Sequence, residues 1–200
     1  MATIPNEIAN EAELESAVEA VGNGLQLISN YLAANPEAVG KVRFPRGFLG
    51  TAYSHSKKFN WVENDVLKRN MSYQYIFYDV LRWVSNRTDI GATAREMLYK
   101  HSIVVVASVA EGLADAAAKQ LEFVERKFPK QLTRLLNEKV ISQKVHDEVV
   151  WMWGIRQRVH VHIVDDLEWS KYKVTDARRA SKAVAELEKA LDIHFEFLSS

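Results

Sequence analysis

The chain has 200 residues, 48% of them apolar, enough to close one sizeable hydrophobic core. Twenty-six lysines and arginines balance twenty-six aspartates and glutamates, so no global positive field draws the protein onto duplex DNA or an anionic membrane, and any nucleic-acid contact must be local. Cysteine is absent, which excludes disulfides, thiolate catalysis and thiolate metal sites. With neither a basic, apolar leader at the start nor an uncharged apolar run of about 20 residues, the expectation is a soluble, cytoplasmic protein.

Residues 11–33 place Leu14, Val18, Val21, Leu25, Ile28 and Leu32 three and four apart, with Glu11, Glu13 and Glu15 where the helix dipole favours them. That spacing predicts an amphipathic helix, weakened at Gly22 and Gly24 by up to about 1 kcal/mol each. From Asn35 to about Asn60 the periodicity disappears, and Pro36, Gly40, Pro45, Gly47 and Gly50 punctuate what reads as a long loop. It carries Lys41, Arg43, Arg46, Lys57 and Lys58 among Phe44, Phe48, Tyr53 and Phe59. Such a segment either stacks on nucleic-acid bases and touches phosphates or wraps the body with its aromatics packed down. The division expected is therefore 1–60, an N-terminal helix and irregular extension, and 61–200, a helical bundle.

Helical spacing resumes over 62–85 through Val66, Leu67, Ile76, Phe77, Val80, Leu81 and Val84, with Asn64 or Asp65 placed to cap. Thr93 and Glu96 match a capping box opening the longest predicted helix, about 94–127, whose centre is apolar on nearly every face and belongs inside a bundle. Ala107, Ser108, Ala110, Gly112, Ala114 and Ala117 let neighbouring helices approach it closely. Glu111 and Asp115 are its polar exceptions, expected to pair with a basic group from another helix rather than hold a metal. Pro129 separates this helix from a short one ending near Asn137. The next begins near Glu138 with Ile141, Val145, Val149, Met152, Ile155, Val159 and Ile163 as its stripe. After a polar connection from Asp165, Thr175-Asp-Ala caps a last helix that buries Ala180, Val184, Leu187, Leu191 and Leu198.

Chemistry concentrates at Arg156-Gln157-Arg158-Val159-His160-Val161-His162, two guanidiniums and two imidazoles inside an apolar run. If the run is helical to residue 164, Arg156 stacks over His160 and Arg158 over His162. A neighbouring guanidinium keeps an imidazole partly neutral and able to accept a proton, while the guanidinium itself can hold a phosphate bidentately. Those are the parts of a metal-independent ribonuclease. As a strand, the same alternation points Arg158, His160 and His162 one way, and His-x-His is a familiar metal-binding arrangement, although no third ligand is obvious. Lys171, Lys173, Arg178, Arg179 and Lys182 follow and can supply a local phosphate-tracking patch, or are solvated charges at a helix start.

A long apolar helix of the form Ser102-Ile-Val-Val-Val-Ala-Ser-Val-Ala-Glu-Gly-Leu113, then a helix carrying Ile155-Arg-Gln-Arg-Val-His-Val-His162, then a polar loop and an alanine-rich last helix, resembles the HEPN superfamily over about residues 92–198. The resemblance implies an all-α bundle, commonly a homodimer, that cleaves RNA without metal or other cofactor through an arginine and a histidine with four to six residues between them. Arg156 and His162 fit that pattern with Gln157 at the usual polar position, while Arg158 and His160 are companions the pattern does not assign. In one toxin–antitoxin subset a tyrosine two residues past the histidine is modified by a nucleotidyltransferase; here that position is Val164. The function expected is an endoribonuclease acting on single-stranded or loop RNA, with an antitoxin or other regulatory protein as possible partner. Against it stands a non-catalytic binding or dimerisation module in which Arg156 and Arg158 only pair with Glu111, Asp115, Asp165 or Asp166.

Overall fold

The computed structural model describes residues 7–159 and 167–199, with side chains to Glu196. Among them the protein is an all-α helical bundle with no strand. The helices are α1 (Glu11–Ala34), α2 (Ala52–Ser56, followed by a 3-10 turn Lys57–Phe59), α3 (Asp65–Arg87), α4 (Ala92–Gln120), α5 (Phe128–Asn137), α6 (Gln143–Gln157) and α7 (Val174–Ser199).

Two compact units meet in sequence between Pro45 and Arg46, so residues 46–60, grouped above with the extension, belong to the larger unit. The smaller unit contains α1. The Asn10 side chain caps it by accepting from the Glu13 amide, and Leu14, Val18, Val21, Leu25 and Ile28 of its stripe are exposed.

In the larger unit α4 is the central element, packed against α3, α5, α6 and α7. Its burial follows from its sequence: Ile103, Val106, Val109, Ala110, Leu113, Ala114 and Ala117 leave almost no polar face to solvate, and all are buried. At Gly112 the side chains of α3 come close, since a Cβ there would lie 2.8 Å from Met71 Sδ. Of the described helices only α4 is long and apolar enough to cross a membrane, and 67% of its most apolar stretch lies inside the protein, as a core helix requires.

The segment 46–60 is more ordered than its glycines and prolines suggest. Thr51 and Ser54 form a reciprocal capping box that starts α2, and Phe59 is fully buried. Asp79 of α3 fastens the loop before it, accepting from the Gly50 amide at 2.9 Å and meeting His55 Nε2 at 3.0 Å. Of the aromatics in this stretch, Phe59 packs inward, Phe48 lies under the Arg82 guanidinium and Tyr53 is exposed beneath Lys57.

Other boundaries shift for identifiable reasons. Asn64, not Asp65, caps α3 through the Leu67 amide. The expected Thr93/Glu96 capping box does not form: α4 begins at Ala92 after Gly91, and the Glu96 carboxylate instead accepts from the Ser170 amide. At its other end α4 stops at Gln120 rather than near 127, with Glu122 in a left-handed conformation (φ 55°) just beyond. Helix α6 starts at Gln143 behind the Ser142 cap rather than near Glu138, because Lys139 also turns left-handed (φ 59°). The last helix is preceded by a bond from the Lys173 amide to Asp176 rather than by a threonine cap.

Candidate functional site

The continuous helix expected to carry all four charged groups ends early. Helix α6 closes at Gln157, and Arg158 (φ −77°, ψ 8°) is already its C-cap, so a helix running to residue 164 is not what forms. His160 and His162, and with them Val161, Ile163, Val164, Asp165 and Asp166, lie outside the described residues.

The end of α6 is held from a distance. Lys100 of α4, buried despite its charge, points its ammonium at the Arg158 carbonyl (2.8 Å) and at both oxygens of Glu168 (2.8 and 2.6 Å). Tyr172 donates to the same carboxylate at 2.8 Å. Burial pushes the Tyr172 phenol up to about 12, and the bond to Glu168 adds to that rise. At Glu168 burial acts upward, but hydrogen bonds from Lys100 and Tyr172 outweigh it and hold the carboxyl below its ordinary value. A carbonyl that the helix leaves unpaired is thus capped by a cation 58 residues away in sequence.

Arg156 sits in the last turn of α6, where the helix dipole favours a cation. Its Nη2 is 2.9 Å from Glu111 Oε2, and its side chain keeps 33% of its exposure. The other Glu111 oxygen accepts from Trp153 Nε1 at 2.8 Å. Trp153 and Arg156 are one turn apart on α6, so a single carboxylate of α4 is shared between them. The expectation that Glu111 pairs across helices holds, whereas Asp115 pairs within α4, with Lys119. A guanidinium carries five N–H donors, so the contact with Glu111 leaves Arg156 with others to offer.

Gln157 is half-buried and Arg158 exposed. Arg158 and Lys171 line a depression of about 430 Å³ together with Trp151, Gly154, Ile155, Tyr172 and Asp176. The expected phosphate-tracking set therefore divides. Lys171 joins Arg158. Lys173 is exposed, with its amide bonded to Asp176. Arg179 is committed, bidentate to Glu148 (2.5 and 3.1 Å) and stacked 3.9 Å over Trp151. Arg178 and Lys182 border two depressions, one shared with Arg179 and Glu148 and one between α3, α4 and α7.

Lys100 and Glu168 were not marked by the sequence as site residues, although a lone lysine entering the apolar run of α4 is a detectable oddity. Among the described residues no three of His, Asp and Glu converge as metal ligands. The chain matches no family model, no curated protein and no solved structure.

Proposed function

We propose that this chain is a HEPN-type, metal-independent endoribonuclease acting on single-stranded or loop RNA as a homodimer, with Arg156 and His162 as its working pair. The observation that carries the reading is the end of α6: Arg156 in the last turn, partly exposed, and two residues on Arg158, which lines an open depression with Lys171. Cations there can hold a phosphodiester in a protein whose overall charge is zero. In the reaction an imidazole removes the proton of a 2′-hydroxyl, and that oxygen attacks the adjacent phosphorus. The 5′-oxygen leaves with a proton, giving a 2′,3′-cyclic phosphate and a free 5′-hydroxyl. Arg156 would take the charge developing on the phosphorane oxygens, and His160, Gln157 and Arg158 would line the substrate's path. A second protomer facing the same surface would complete the acid–base set, and an antitoxin or similar partner would restrain it.

A second reading, a non-catalytic HEPN-like binding or dimerisation module, is favoured by one contact: the Arg156–Glu111 pair, which offsets the charge of the arginine. One assay separates the two. Purified protein is incubated with a mixed RNA pool in EDTA, alongside His162→Ala and Arg156→Ala variants whose helical circular dichroism matches the parent. The nuclease reading expects cyclic-phosphate ends from the parent alone. Absence of cutting by the parent, or cutting that survives His162→Ala, removes it and leaves the module.

A further inference from the structure

A cleft of about 420 Å³ opens between α3, α4 and α7, on a wall to which α6 and the Arg156 motif contribute nothing. Its size is that of a small-molecule site. Two helices furnish it with the same local pattern. On α3, Arg82 is followed three and four residues later by Ser85 and Asn86. On α7, Arg178 is followed at the same offsets by Ser181 and Lys182. Offsets of three and four put each set on one helix face, so both triplets look into the same space. Tyr99 and Ser102 of α4, again one turn apart, are also in its lining.

Arg134, Arg156 and Arg179 each answer a carboxylate, as do Lys100, Lys119 and Lys144. The cleft has three cations and no carboxylate in its lining, and two of them, Arg178 and Lys182, stand on the ridge shared with a neighbouring depression that Glu148 and Glu186 line. Lys182 reaches Glu186 only at 4.0 Å, with 75% of its side chain exposed. Arg82 rests over the Phe48 ring at 5.7 Å, and Arg178 forms no ion pair among the described residues. Two guanidiniums and an ammonium converging on a concave surface make a strong attractor for a dianion, and guanidiniums bind phosphate oxygens bidentately. The neutral lining is mostly hydroxyl and amide: Tyr78, Tyr99, Ser85, Ser181 and Asn86, with small apolar residues between. Hydroxyls that both donate and accept are suited to a polyol rather than to a flat apolar ring.

We infer that this cleft binds a small sugar phosphate, its phosphate monoester held by Arg82, Arg178 and Lys182 and its hydroxyls by the serines, tyrosines and Asn86. The site is independent of the ribonuclease reading, since neither Arg156 nor His162 takes part, and a His162→Ala protein keeps it.

Isothermal titration of the full chain with ribose 5-phosphate, glucose 6-phosphate, inorganic phosphate and adenosine 5′-monophosphate tests it. Saturable one-to-one binding of a sugar phosphate is expected, about tenfold or more tighter than inorganic phosphate, with a loss of about tenfold or more in each of Arg82→Glu and Arg178→Glu. Both arginines are exposed, so their variants should keep the parent circular dichroism. Arg126→Glu, which makes the same charge change outside the cleft, should bind normally. Any of four results overturns the inference: no saturable binding by either sugar phosphate; inorganic phosphate binding as tightly; affinity unmoved by the cleft variants; or adenosine 5′-monophosphate binding more tightly than both sugar phosphates.

Discussion

The Lys100 ammonium lies 2.6 Å from one Glu168 oxygen and 2.8 Å from the other, and the same nitrogen caps the last carbonyl of the α6 turn at Arg158. The partners differ in burial, Lys100 keeping 5% of its side-chain exposure and Glu168 18%. Removing the carboxylate charge therefore strands a cation that water cannot reach, whereas removing the lysine leaves an anion that still touches solvent and Tyr172. Glu168→Gln is expected to cost about 3 kcal/mol and Lys100→Met about 1–2 kcal/mol. Urea denaturation of both variants checks the order. A Lys100→Met protein as unstable as Glu168→Gln would mean that the lysine serves chiefly the Arg158 carbonyl.

Two carboxyls, Glu188 buried and Glu168 half-buried, shift in opposite directions, so they leave opposite marks on stability against pH. Burial pushes Glu188 up, the Asp192 charge adds to it, and the Tyr75 hydroxyl bond and Lys58 pull back only in part. A raised acid favours the fold below its ordinary value of 4.5, and that contribution disappears as pH climbs through its folded value. Glu168, held low, contributes above about 4.5 and loses that contribution as pH falls through its folded value. Glu188→Gln should thus gain on the parent at pH 7 and lose that advantage by pH 4, while the deficit of Glu168→Gln should shrink over the same descent. Melting temperatures at pH 4, 5.5 and 7 give both signs. Parallel curves for parent and Glu188→Gln would show that Glu188 does not titrate in this range.

Two glycines lack room for a Cβ, and they differ in what would have to move. A Cβ on Gly50 would fall 2.3 Å from His55 Nε2, a ring fixed by Asp79 and stacked on Tyr75. A Cβ on Gly112 meets Met71 Sδ at 2.8 Å, the middle of a flexible side chain. Gly50→Ala is expected to lose about 2 kcal/mol, by forcing the ring off Asp79. Gly112→Ala should stay within about 1 kcal/mol of the parent, since alanine's helix preference offsets the shift of Met71. Equal losses in chemical denaturation would mean that the His55–Asp79 contact yields as easily as a methionine.

What the sequence disclosed and what it hid divide by the range of the interaction. The burial of α4, its close approach at Gly112 and the Asn64 cap follow from residues within a few positions of one another, and local periodicity reveals such things. The end of α6 does not. Its stripe continues through Ile155 and Val159, yet the helix closes at Gln157, with the following carbonyl held by Lys100, 58 residues back. Glu96 was read as a local capping partner and instead serves Ser170, 74 residues on. Both cases put a charged side chain of α4 onto the connection around residues 158–170, which no pattern within either stretch announces. In the candidate site the cross-helix role of Glu111 was legible because a carboxylate on an apolar helix requires a cation. The commitment of Arg179 to Glu148 was not, because an arginine at a helix start looks the same whether solvated or paired.

The Glu111 carboxylate governs how much of the Arg156 charge is available to a phosphate, and replacing it separates that role from mere support. Glu111→Gln keeps an acceptor for Trp153 Nε1 or the guanidinium but removes the negative charge 2.9 Å from Arg156 Nη2. If the end of α6 receives RNA, the freed guanidinium adds about one phosphate contact. Affinity for a single-stranded oligonucleotide should then rise, and the slope of log K against log salt should steepen by about 0.7. Trp153→Phe deletes the indole donor while leaving the carboxylate in place, so it should leave that slope where it was. Fluorescence anisotropy across 50–200 mM salt reads both. A Glu111→Gln protein that binds RNA no better than the parent, with an unchanged slope, would place Arg156 among the groups that hold α4 to α6 and take it out of the RNA path.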